Sequence, residues 1–95
     1  MGFTEILEDF AACVAVAARV APDRYPGWSS GWKGNLEEMM SLWNEIRPLL
    51  RRDVEQAQRI DSVLQEMVCV AEAGDTSGFQ RAARALHGFD LLKLR

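Results

Sequence analysis

The sequence predicts an all-α fold, a small four-helix bundle-like domain with a long aromatic loop between its first two helices. Two observations carry that reading. The apolar stripes in the chain repeat at alternating three- and four-residue spacing, the period of one helix face. Helix-start and helix-stop residues fall between the stripes, at Pro22, Asn35, Asp53, Ser77 and Gly88. With 95 residues, 48% hydrophobic and 26% charged, the composition is that of one globular domain over 1–95.

The first helix is expected near residues 5–20. Phe3, Ile6, Phe10, Cys13, Ala17 and Val20 repeat at 3-4-3-4-3 spacing, and Leu7 and Val14 widen the stripe. Thr4 stands where an N-cap would, with Glu5 and Glu8 in the first turn, where the helix dipole favours acids. Pro22 stops the helix, because the residue before a proline avoids helical geometry.

The second helix is expected near 36–50. Asn35 and Glu38 form a capping-box pattern, and Leu36, Met39, Trp43, Ile46 and Leu50 keep the helical period. Pro48 kinks or ends it, since proline removes a backbone donor and clashes with the preceding turn. Asp53 with Gln56 opens a third helix near 54–73, with one long kinked helix as the alternative. Val54, Ala57, Ile60, Leu64, Met67 and Ala71 form its stripe.

The stretches "AACVAVAA" in the first helix and "MVCVA" in the third are apolar on nearly every side, which predicts that these two helices pack together. A fourth helix near 78–87 follows from Ser77 with Gln80, the Phe79–Ala82–Ala83–Leu86 stripe and Gly88. The tail "FDLLKLR" reads either as a helix extended through Gly88 or as a strand alternating at Leu92 and Leu94.

Charge excludes more than it identifies. The net charge is −3, with three basic and seven acidic side chains in residues 1–46 and eight and seven in 47–95, so neither half makes a strong field. Nucleic acid is therefore an unlikely partner. Acids precede the run Phe10–Ala18, the wrong order for a secretion signal, and the run is too short to span a bilayer. Two cysteines do not make a disulfide framework, and the expected setting is cytoplasmic.

Catalytic chemistry finds no footing. A single histidine, His87, and two unpaired cysteines, Cys13 and Cys69, supply neither a zinc site nor a nucleophile with its base. Arg84 stands where a di-iron helix would need its glutamate. No phosphate loop or nucleophile elbow occurs. No catalytic residue, metal or cofactor is assigned.

The candidate functional residues are therefore contact residues. Tyr25, Trp28, Trp32 and Lys33 lie in the Pro/Gly-rich loop 21–35, as a lid over the core or as a partner-binding surface. Cys13, Ala17, Val68 and Val70 mark a self-association seam on the all-apolar helix stretches. Arg47, Arg51, Arg52 and Arg59 are the alternative, a nucleic-acid contact; Arg51, Glu55 and Arg59 at i, i+4, i+8 spacing also suit a solvated salt-bridge ladder. The expectation is a non-enzymatic protein-interaction module, self-associating or accessory to a protein partner, with a small nucleic-acid-associated regulator as the alternative.

Overall fold

Four helices pack around a single apolar cluster in the computed structural model, which describes residues 2–20 and 31–95. They are α1 (Phe3–Val20), α2 (Gly31–Ile46), α3 (Val54–Glu72) and α4 (Thr76–His87), with 3-10 turns at Arg47–Leu49 and Leu91–Lys93. The described residues contain no strand. Every helix contributes residues of its predicted stripe to the cluster: Phe10 from α1, Met39 and Ile46 from α2, Ile60 and Met67 from α3, Phe79 and Leu86 from α4. This is the outcome expected when one face of each helix loses its apolar surface to water-free packing. Val54, predicted at the head of the α3 stripe, is exposed because it stands at the first turn, beyond the packed part of that helix.

Helix starts depart from the capping patterns because the polar side chains found other work. In α1, Ile6 N donates to Gly2 O at 3.1 Å, so the helix begins before Thr4 and that threonine does not cap it. In α2, Gly31 at φ +74° admits the chain to the helix earlier, a conformation open to glycine because it lacks Cβ. Asn35 is thereby an interior, buried residue rather than a cap, and its amide donates to Cys13 O across to α1 at 3.2 Å. The α4 cap is Asp75, which accepts from Gly78 N at 2.9 Å, and not Ser77. Asp53 precedes α3 without a side-chain cap, its carboxylate being engaged by Arg52 and Arg95.

Pro48 ends α2 rather than kinking one long helix. The chain leaves α2 at Ile46, passes through the 3-10 turn with Pro48 near its start, and re-enters a helix at Val54. The tail is neither a helix extension nor a strand. Gly88 closes α4, and a 3-10 turn then buries Leu91 and Leu94 while leaving Leu92 exposed.

The expected pairing of the first and third helices is not the one formed. Close backbone approaches join α1 to α2, α1 to α4 and α3 to α4, while α2 and α3 approach each other sparsely. The small residues Cys13, Ala17 and Ala18 of α1 are buried, and the reach of Asn35 to Cys13 O marks how near α2 comes to that backbone. Helices α2 and α3 are thus only loosely apposed although consecutive in the chain. No helix among the described residues is long and apolar enough to cross a membrane.

Candidate functional site

The sparse approach of α2 and α3 leaves a groove of about 400 Å³ between them. One wall is the row Met40, Trp43, Asn44 and Arg47, at i, i+3, i+4 and i+7 on α2 and the turn that follows it. The other is Asp61, Leu64 and Gln65, at i, i+3 and i+4 on α3. This spacing puts each set on one helix face. Met40, Trp43 and Leu64 make the groove's apolar part, and Asn44, Gln65, Arg47 and Asp61 its polar part.

Its polar centre is Asp61. One carboxylate oxygen accepts the Trp43 indole N–H at 2.7 Å, and the other accepts Arg47 Nε at 3.1 Å. Trp43 is 3% exposed, and its ring stacks on Phe10 of α1 with centroids 5.3 Å apart. A buried indole needs a partner for its N–H, and Asp61 supplies it. The sequence placed Trp43 in an apolar stripe only, and did not single out Asp61. The signal available was a tryptophan beside an arginine four residues on, facing a second helix with an acid.

The contact residues expected from the sequence are scattered. Tyr25 and Trp28 lie outside the described residues. Trp32 falls in the first turn of α2 rather than in a loop, half-buried, with its ring 5.0 Å from that of Phe79. Lys33 is exposed, its ammonium 5.5 Å from the Trp32 ring centroid. For Trp32 the contact is that of a core lid.

Cys13, Ala17, Val68 and Val70 do not form one surface. Cys13 and Ala17 are buried in the core of the chain itself, at 8% and 0% exposure. Val68 and Val70 are half-buried, and two residues apart on a helix they point about 160° from one another. Val70 lies toward α4, where its methyl would touch a Cβ placed on Gly78. The Cys13 thiol is pushed up to about 11 by burial, then by the carboxylates of Glu38 and Asp9. Cys69 is exposed, and both cysteines are free thiols.

The basic set is largely committed within the chain. Arg47 pairs with Asp61, Arg52 with Asp53 and the Lys93 carbonyl, and Arg51 donates to Pro48 O. The Arg51–Glu55–Arg59 ladder is not formed; the ion pairs among the described residues are Arg47–Asp61, Arg52–Asp53 and Lys93–Asp90. No group of three or more His, Cys, Asp or Glu side chains among the described residues stands close enough to hold a metal ion. Comparison of the chain with protein-family models, with curated proteins and with solved structures finds no match.

Proposed function

We propose that the chain is a non-enzymatic protein-interaction module whose contact face is the α2–α3 groove. The observation that carries this reading is the composition of that groove: Met40, Trp43 and Leu64 beside Asn44, Gln65 and the Arg47–Asp61 pair. Apolar anchors bordered by hydrogen-bonding groups are the make-up of protein contact surfaces. Met40 is half-buried at the groove's edge, and the buried Trp43 and Leu64 form its floor.

Self-association is the simplest form of the proposal, and sedimentation across micromolar concentrations tests it directly. The broader proposal is tested with Asn44→Arg plus Gln65→Arg, which crowd the groove from two exposed positions without entering the core. That double variant loses the partner, or the second copy, while Arg81→Glu on exposed α4 retains it. Equal association by both variants would sink the groove as the contact face.

A nucleic-acid-associated regulator acting through Arg47, Arg51, Arg52 and Arg59 has less support, because three of the four side chains already serve acceptors of the chain. A salt titration of binding to generic DNA and RNA distinguishes it. The proposed setting is cytoplasmic, where an exposed free thiol such as Cys69 stays reduced.

A further inference from the structure

Residues 89–95 run from the end of α4 across α1 to the start of α3. Leu91 and Leu94 are 4% and 3% exposed, in the same apolar cluster as Ile6, Leu7 and Phe10 of α1. Arg95 O accepts both Arg52 N and Asp53 N, at 2.8 and 2.9 Å. Arg95 N returns a bond to Asp53 Oδ2 at 2.9 Å, and Arg52 Nη2 reaches Lys93 O at 2.8 Å. The Arg95 guanidinium stands 5.8 Å from the Phe3 ring centroid. The tail is therefore pinned by two leucines and a small set of hydrogen bonds that converge on Asp53.

Asp53 is also the N-cap residue of α3, and it makes no side-chain cap. An aspartate there ordinarily accepts from the second or third amide of the helix, here Glu55 or Gln56. Its carboxylate instead serves Arg52 and Arg95 N. The same carboxylate thus has two sets of candidate donors, the tail's and the helix's, and in this structure it serves the tail's.

We propose that Asp53 is a two-position clasp: it either holds the 89–95 segment closed over α1 or caps α3 with that segment released. The exchange replaces the carboxylate's bond to Arg95 N with the cap's bond, while Arg52 N and Asp53 N give up Arg95 O to solvent. With the tail released, the apolar start of α1 lies uncovered. The clasp is a property of the fold separate from the α2–α3 groove and stands whether or not that groove binds a partner.

Amide hydrogen exchange of the full chain, read residue by residue, tests the clasp. Asp53→Ser keeps a capping oxygen but loses the carboxylate that holds Arg95 N; Asp53→Ala loses both roles. In Asp53→Ser the amides of Leu94 and Arg95 exchange about tenfold faster, the size expected for a lost hydrogen bond to a charged group, while Gln56 keeps or gains protection. In Asp53→Ala both regions lose protection. In the wild-type chain under mild denaturant, the tail amides open before those of Phe10 and Leu64. Unchanged tail protection in Asp53→Ser overturns the proposal. So does a wild-type tail that opens only together with Phe10 and Leu64, since the segment is then an inseparable part of the core.

Discussion

Trp43 donates its indole N–H to Asp61 at 2.7 Å while its ring stacks on Phe10 at 5.3 Å, so one side chain ties α2 to both α3 and α1. Trp43→Phe keeps the stacking and gives up the hydrogen bond, and is expected to cost about 1–2 kcal/mol. Trp43→Ala also opens a cavity and costs about 3–5 kcal/mol. Asp61→Asn keeps an acceptor for the indole and loses only the half-buried, partly solvated pair with Arg47, a change of about 1 kcal/mol. Urea unfolding followed by circular dichroism ranks the three, and an Asp61→Asn cost equal to that of Trp43→Ala would contradict this division.

Trp32 meets Phe79 at 5.0 Å and is half-buried, so its ring contributes to the fold. Trp32→Ala is expected to lower stability by about 1–3 kcal/mol, within the range for lost aromatic packing. A Trp32→Ala chain with wild-type stability would return this residue to the surface role.

The two thiols differ in access. Cys69 is exposed and reacts with a thiol reagent in the folded chain, whereas Cys13 reacts only as the chain unfolds. The Cys13 thiol is raised from 9.0 to about 11 in the folded state, so the folded chain keeps a proton there that the unfolded chain gives up. Its contribution to stability is full below pH 9 and is lost as pH rises to about 11. Cys13→Ala removes that part of the alkaline loss, and chemical denaturation at pH 8, 9, 10 and 11 measures the difference. Identical pH profiles for the two chains would refute it.

Gly78→Ala puts two effects in opposition. Alanine favours a helix over glycine by about 1 kcal/mol. Its Cβ would press on the Asp75 carboxylate that caps α4 and lie 3.1 Å from a Val70 methyl carbon. Loss of such a cap costs about 1 kcal/mol, and the crowding adds to it, so the net change is expected to be destabilising. A rise in melting temperature would reverse that sign.

The helices were legible in the sequence because an apolar stripe states which face is buried without stating against what. Phe10, Met39, Ile60 and Phe79 all lie in the core for that reason. Helix starts were less legible. Asn35 and Asp53 have the right chemistry for caps, but tertiary partners at Cys13 O and Arg95 N engage them instead. The neighbour relations were not legible: stripes on α1 and α3 look alike, and only the three-dimensional order assigns α1 to α2 and α4. The groove escaped notice because Trp43 and Asp61 are 18 residues apart and neither forms a motif alone.

Helices α2 and α3 are consecutive in the chain and yet approach each other sparsely, joined through residues 47–53. Elsewhere in the fold, interlocking side chains fix the distance between helices. Here the length of a connector does much of that work, with Pro48 limiting how far it can stretch. The width of the groove is thus set by that connector, whose Leu50 is buried in the core, together with the Trp43–Asp61 bond across it. Two ties, one covalent through the chain and one a single hydrogen bond, therefore hold these helices at their spacing.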